Sequence, residues 1–310
     1  MNNVTWPDGK RFAFTVCDDS DSGTLENLAP VYAFLEDYGF RTVRSCWAMR
    51  GDPHRGKYSG DTLDDADYRD WLVNLQSKGF EIGWHGATWQ SSERAQVALA
   101  LERFAQTFHQ NPTVASNHTG LHEAMYWGIH RLSGWRRSLY NLLTCYRNNR
   151  QFMGHAEGGR YFWGDLCRQK IKYYRNFVFQ GINTLKACPF MPYHDATKPY
   201  VNYWFASSNG RDADAFTRCI SEANQDRLEA EGGACIMYTH FSIGFHDGRS
   251  LNPKFERLMK RLAAKNGWFV PAATLLDHLQ AQNGPCTITD RQRQWLERKW
   301  LWEKVFVGTN

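Results

Sequence analysis

Short apolar runs alternate with helix-length amphipathic segments along most of this 310-residue chain, and this alternation constrains the fold more than any other feature. The apolar runs have the length of strands and are rich in aromatic and β-branched residues. They are RFAFTV (11–16), RTVRSCW (41–47), FEIGWH (80–85), TVASNH (113–118), INTLKAC (182–188), YVNYWFASS (200–208), GACIMYTHF (233–241) and WFVP (268–271). Repeated strand–helix units predict a parallel sheet covered by helices, either open or closed into a barrel.

Helices are predicted between these runs. One lies near 28–38 and is expected to begin at Pro30, because proline fits the first turn of a helix. The others are predicted at 66–79, 91–110, 212–231, 253–265 and 271–281. Residues 120–180 show no clear alternation, and we interpret them as a helical insertion over the mouth of the barrel. A charged amphipathic helical tail is expected at 287–310.

The composition is that of a globular protein, with 42% hydrophobic and 22% charged residues and no Gly/Ser linker or internal repeat. We therefore expect a single α/β barrel domain over 1–310, with six to eight strands. The longest apolar runs are far shorter than the ~18 residues that a membrane span requires, so no integral membrane segment is expected. The first ten residues lack an apolar signal core, and the eight cysteines lack C-x-x-C spacing. Both observations favour a cytoplasmic protein with reduced thiols.

The net charge of +5 is spread over many short segments. The densest basic segment, RQKIKYYRNF (168–177), favours a solvated helix face over a site for an anionic ligand, although contact with a diphosphate stays open. We expect no nucleic-acid partner.

Polar residues that can carry chemistry follow several predicted strands. TVCDDSDSG (15–23) places Asp18, Asp19 and Asp21 within four positions. Adjacent carboxylates repel one another, and burying them is costly unless each is paired or binds a cation. Further residues follow other strands, namely His85, Asn117, His118 and His240. Because the carboxyl ends of parallel strands meet at one edge, we expect these side chains to converge on one mouth and the acids to face a cation.

The order FTVCDDSDSG, GFEIGWHGATW, IMYTHFSIGF and WFVPAATLLDHL resembles the polysaccharide deacetylase (NodB-homology) superfamily. The resemblance covers roughly 10–118 and 233–281. It implies an irregular (β/α) barrel that binds a divalent metal, commonly zinc, and hydrolyses N- or O-acetyl groups on sugars. By this resemblance Asp18 is the catalytic base, Asp19 and His85 are metal ligands and His240 is the general acid.

The sequence also departs from the family pattern. Trp89 stands where the second metal-binding histidine is expected, and an indole cannot ligate a metal. Ser20 replaces the glycine after the acid pair, and no R-x-P motif follows the fourth strand. Asp21 has no role in the family motif, and we interpret it as a hydrogen-bonding residue behind the ligands.

Two interpretations fit the missing histidine. In the first, His118 supplies the third ligand from the next strand tip, with His122 or His246 as the next candidates, while Asn117 points away. In the second, the metal site has decayed and the barrel only binds carbohydrate. Simpler roles also exist, since aspartates often cap turns and histidines often bond loop carbonyls.

We expect a metal-dependent hydrolase of carbon–nitrogen bonds other than peptide bonds, which deacetylates a sugar. A sugar nucleotide or another precursor of cell-surface polysaccharide is the expected substrate, on the basis of the predicted location. The alternative is a catalytically inactive, deacetylase-like barrel that acts as a carbohydrate-binding protein.

Overall fold

The computed structural model describes residues 4–55, 59–145 and 152–306, and its central feature is a closed barrel of seven parallel strands. The seven barrel strands are β1 Phe12–Asp18, β2 Val43–Trp47, β3 Glu81–Gly86, β4 Val114–Ala115, β5 Tyr173–Phe179, β7 Tyr203–Asn209 and β8 Ala234–Thr239. The short strand β6 Tyr193–His194 lies between β5 and β7 in the chain. Two further short strands, β9 Gly267–Trp268 and β10 Cys286–Thr287, pair with β1 and β6. The predicted (β/α) barrel is confirmed.

Helices surround the barrel. They are α1 Leu25–Asp37, α2 Ala66–Ser77, α3 Arg94–Phe108, α4 Gly134–Leu143, α5 Gly164–Lys170, α6 Thr184–Ala187, α7 Ala213–Cys219, α8 Glu222–Ala230, α9 Pro253–Ala263, α10 Ala272–Asn283 and α11 Asp290–Phe306. Among the described residues, none of these helices has the length and apolar content needed to cross a bilayer.

Strand β1 carries the acid-rich segment at its carboxyl end. All of its side chains are buried, as expected for a strand with a parallel neighbour on each side. Its last residue, Asp18, lies opposite Arg44 of β2 and Thr239 of β8. The segment after Asp18 therefore opens into the same end of the barrel as the residues that follow β3, β4 and β8.

Four elements differ from the sequence predictions, and one of them is 212–231, which forms two helices, α7 and α8, instead of one. The range 120–180 is not helical throughout, because Tyr173–Phe179 forms the fully buried strand β5. The run 182–188 contains helix α6 instead of a strand, and the Asn183 side chain caps it by accepting the Lys186 backbone N–H. Helix α1 begins at Leu25, not at Pro30, because Thr24 and Asn27 form a capping box one turn earlier.

The remainder of 120–180 and the C-terminal helix pack against each other. Helices α4 and α5 lie in this range, together with a short 3₁₀ helix at Gly128–Arg131. Glu297 of α11 is fully buried and accepts a hydrogen bond from Arg136 of α4 at 2.6 Å. Trp300 of α11 is also buried and belongs to the same apolar cluster as β1. This continuity supports our proposal of one domain.

The fold makes one prediction about pH. Glu81, at the start of β3, accepts the Ala273 backbone N–H at 3.0 Å at the beginning of α10. Burial raises the pKa of the Glu81 carboxyl from 4.5 to about 8 despite this bond. The folded state thus holds a proton that the unfolded chain releases, so stability falls as the pH rises between those two values. In Glu81→Gln, the unfolding midpoint should fall less over this range.

Thermal unfolding followed at several pH values checks this expectation. Glu26→Gln, which changes an exposed acid in α1, is the control and should retain the wild-type dependence. Equal pH profiles for wild type and Glu81→Gln would contradict the assignment.

Candidate active site

A cavity of about 410 Å³ opens at the carboxyl end of the barrel strands. We call the lining residues at or after the ends of barrel strands its floor, and we call Trp127, Arg131 and Lys304, which precede β5 or belong to α11, its upper wall. The residues used below are Asp19, Asp21, His85, His118, Arg175, His240, Trp127, Arg131 and Lys304. A larger groove of about 970 Å³ lies beside Arg11 and Gly233, which precede β1 and β8. It is at the opposite end of the barrel and holds none of these groups.

Asp21 is the centre of the polar cluster on the floor. His118 Nε2 lies 2.6 Å from its Oδ1, and the Nε2 atoms of His85 and His240 each lie 3.2 Å from its Oδ2. Burial alone would raise the pKa of this carboxyl, but contacts with the imidazoles, foremost the hydrogen bonds from His118 and His240, outweigh burial and hold the pKa well below its ordinary value. The sequence interpretation of Asp21 as an outer residue therefore differs from its central position here.

His85 reaches this cluster from β3 with a fixed orientation. Its Nδ1 lies 2.9 Å from the Ser116 hydroxyl, which in turn donates to Asp19 at 3.1 Å. Because that hydroxyl donates its proton to Asp19, it accepts from His85 Nδ1–H. Nε2 of the neutral ring then carries the lone pair and faces Asp21. Trp47 covers the imidazole, with ring centres 4.6 Å apart.

His118 approaches Asp21 from the loop after β4, so the predicted convergence of the third and fourth strand tips occurs. Its ring centre is 5.5 Å from that of His85. His122, four residues later, instead stacks on Tyr161 with ring centres 5.0 Å apart. The Asn117 amide bonds the Met125 backbone in both directions. Only His118 of this loop contacts Asp21.

Glu123 stands behind His118. Among the residues that the structure describes, the Glu123 carboxylate forms no hydrogen bond to another side chain, and Nδ1 of His118 has no hydrogen-bond partner. Both side chains line one small cavity. Burial raises the pKa of the Glu123 carboxyl to about 7. The sequence interpretation did not identify this carboxyl group, which lines the same small cavity as His118 without a hydrogen bond to it.

Asp19 is held by Arg175, a residue of β5. The guanidinium binds the carboxylate through two nitrogens, and the Nη1–Oδ1 distance is 2.9 Å. Burial would raise the pKa of Asp19, but Arg175 together with His85 and His240 outweighs burial and lowers the pKa. Arg175 belongs to the basic segment 168–177, which the sequence interpretation assigned to a solvated helix face. It is instead a buried strand residue with 3% exposure.

His240 closes the cluster after β8. Its Nδ1 lies 2.8 Å from the Arg211 carbonyl oxygen, so Nδ1 carries a proton and Nε2 faces Asp21. Burial lowers the pKa of this imidazole, but the hydrogen bond to Asp21 and the charge of Asp19 outweigh it and raise the pKa to about 9. With Nδ1–H bonded to the Arg211 carbonyl, Nε2 is the ring atom that faces Asp21, at 3.2 Å.

Asp18 does not line the cavity. It is fully buried, and Oδ2 accepts from Arg44 at 2.7 Å and from the Tyr32 hydroxyl at 3.0 Å. Oδ1 accepts the Phe241 backbone N–H at 2.8 Å. Gly23 makes room for the Arg44 side chain, since a Cβ there would meet Nη2 at 2.3 Å. Asp18 thus fastens β1, β2 and the segment after β8 together.

Trp89 takes no part in the polar cluster. It packs in a small apolar group with Trp47 and Leu121. Trp47 in turn contacts the imidazoles of both His85 and His118. Trp89 therefore supports the site from behind, in keeping with the expectation that it is not a ligand.

A second prediction concerns Asp18 and Arg44. Removing either partner leaves an uncompensated buried charge, which costs on the order of 3–5 kcal/mol of stability. Asp18→Asn and Arg44→Met should each lower the free energy of unfolding strongly, and the double variant should lose less than the sum of the two. Denaturant unfolding of the four proteins measures this coupling. Additive losses would contradict the pairing.

Comparisons with known proteins agree on the fold. No protein-family model matches the chain, and no curated protein matches it. Eleven solved chains match in structure. One, from Mycobacterium smegmatis and assigned to the polysaccharide deacetylases, is 12% identical with a TM-score of 0.51, covering 93% of this chain and 97% of that one. Puue allantoinase is 13% identical with a TM-score of 0.50, covering 90% and 93%. The chain thus shares the NodB-type barrel fold, which is the fold that the resemblance of its motifs implied.

Proposed function

We propose that this protein is a metal-dependent hydrolase that removes an acetyl group from an acylated sugar. The observation that carries the proposal is the convergence of the three imidazoles on Asp21 at the carboxyl end of the barrel. A half-buried carboxylate surrounded by imidazoles in a cavity is typical of a catalytic or metal-binding site.

The donor set fits a divalent metal. One ligand atom each from Asp21, His85 and His118 lie within 4.8 Å of one another. The Nδ1–H of His85 is committed to Ser116, which leaves Nε2 as the donor atom. Two imidazoles and one carboxylate are a common catalytic set for zinc. The metal carboxylate is thus Asp21 in our proposal, and not Asp19 as the family motif implies.

Asp19 is our candidate for the general base. A bound divalent ion would lower the pKa of a water molecule and polarise the acyl carbonyl. Asp19 lines the same cavity, and Arg175 and Ser116 fix its carboxylate, so it would accept the proton of the attacking water. Asp18, the base implied by the family motif, has both oxygens engaged outside the cavity.

His240 is our candidate for the general acid. Its Nε2 proton points into the cluster, while the Arg211 carbonyl holds the opposite side of the ring. It would give this proton to the leaving nitrogen or oxygen of the sugar. An N-acetylated sugar, in particular a precursor of cell-surface polysaccharide, is the substrate we propose.

The metal site gives the third prediction. Asp21→Asn, His85→Ala and His118→Ala should each reduce bound zinc strongly, because each removes one of three protein ligands. His122→Ala is the matched control, since it removes a histidine of the same loop that does not reach Asp21. Metal content after dialysis against zinc, measured by elemental analysis, checks the expectation.

Two outcomes would contradict this ligand set. Full zinc occupancy in His118→Ala would place the third ligand elsewhere. A wild-type protein that holds no divalent metal, yet binds sugars, would favour the alternative of an inactive carbohydrate-binding barrel.

The fourth prediction concerns turnover. Asp19→Asn and His240→Asn should each lower acetate release from N-acetylated sugars by about 10²-fold or more, because each removes a proton-transfer group. Both variants should retain zinc, and His122→Asn should retain activity. Acetate release by the zinc-loaded proteins is the measurement. Should Asp18→Asn abolish turnover in folded protein while Asp19→Asn leaves it intact, the base is Asp18.

A further inference from the structure

The upper wall of the active-site cavity contains a buried arginine that the proposed reaction does not use. Arg131 ends the 3₁₀ helix at Gly128–Arg131, is 2% exposed and lines the same cavity as Asp21. Within 4–55, 59–145 and 152–306, its Nε and Nη2 have no hydrogen-bond partner, and it forms no ion pair with a carboxylate. Burying a guanidinium whose N–H groups lack partners costs free energy unless a ligand accepts their hydrogen bonds.

Aromatic rings hold Arg131 in place without using its donors. Its Cζ lies 3.1 Å from the centre of the Trp127 ring and 5.2 Å from that of Trp300 in α11. Stacking contacts of this kind stabilise the positive charge and leave the N–H groups at the edge of the plane available. The insertion and the C-terminal helix therefore orient this guanidinium as a rigid fork.

The charges around Arg131 are also positive. Burial lowers its pKa to about 9 and Arg175 adds to the effect, so the group stays charged at neutral pH. Lys304 of α11 lines the same cavity, and burial together with Arg131 lowers its pKa to about 8. The two acids of the cavity, Asp19 and Asp21, lie on the floor and are bound by Arg175 and the imidazoles. The cavity thus has a cationic upper wall above the reacting groups.

We propose that Arg131 binds an anionic group of the substrate, a phosphate or a carboxylate, while the acyl group lies on the floor beside Asp21. The planar fork of arginine matches the paired oxygens of both anions. A volume of about 410 Å³ is within the range of small-molecule sites. The substrate class is therefore an acylated sugar that carries its own negative charge. The acyl group in this inference rests on the proposed function, whereas the negative charge rests on Arg131.

Inorganic phosphate is the first probe, because its binding needs no turnover. Calorimetry on the zinc-loaded protein should show phosphate binding that Arg131→Met weakens about 10-fold or more. Any binding of phosphate to the metal itself is the same in wild type and variant, so the difference in affinity reports the contribution of Arg131. Arg131→Lys should retain part of the affinity, as a point charge without the fork. Circular dichroism and the unfolding midpoint establish that each variant is folded.

Arg136→Met is the matched control. Arg136 is a buried arginine of the same insertion, but it pairs with Glu297 and does not line the cavity. Its loss should leave phosphate affinity unchanged. Equal phosphate affinity in wild type and in folded Arg131→Met would overturn the proposal and leave Arg131 as a packing residue.

Sugar probes then distinguish the two anion sources. N-acetylglucosamine 1-phosphate and N-acetylmuramic acid are each compared with N-acetylglucosamine in wild type and Arg131→Met. A preference for the phosphorylated or the carboxylated sugar that depends on Arg131 supports the proposal and names the group. If phosphate binding depends on Arg131 but no acetate is released from any probe, the anion site stands and the hydrolase proposal fails. If all three sugars are hydrolysed equally in both proteins, the hydrolase proposal stands and the anion-site proposal fails.

Discussion

The site depends on how the barrel neutralises three closely spaced carboxylates. Leaving an ion uncompensated in the interior costs several kcal/mol, so each acid needs its own partner. Asp18 is paired with Arg44 of β2, and Asp19 with Arg175 of β5. Both guanidiniums come from barrel strands and are themselves buried. With two acids held in this way, Asp21 alone is left to the imidazoles.

In our proposal, this division separates structural from chemical roles along four residues of one segment. Asp18 lies within β1 and ties strands together, so its position is set by the barrel. Asp19 is the first residue after β1, and Arg175 holds its carboxylate at the edge of the cavity. Asp21 lies beyond the strand, where the side chains of His85, His118 and His240 meet. The closer an acid lies to the cavity, the more its surroundings favour proton transfer or metal binding over packing.

The sequence predicted the barrel and the edge at which the polar residues meet, because parallel strands must bring their carboxyl ends together. It also predicted that His118 would join His85. It could not rank the acids, since the choice depends on Arg44 and Arg175, which lie far along the chain. Strand β5 was also missed, because the arginine within YYRNFVF gives this buried strand the sequence pattern of a solvated segment. An arginine inside an otherwise apolar run, as in RTVRSCW, was the available signal.

Arginines therefore perform three different tasks around one cavity, and their partners tell them apart. Arg44 is closed off from the cavity by Asp18, and Arg175 reaches the cavity with its charge balanced by Asp19. Arg131 is stacked between aromatic rings, and its donors remain available. Stacking orients a guanidinium without using its N–H donors, whereas a carboxylate partner also balances its charge. Of these three arginines, Arg131 is the one whose charge no carboxylate balances in the described part of the chain, and it lines the same cavity as Asp19 and Asp21, which is why we propose it for an incoming anion.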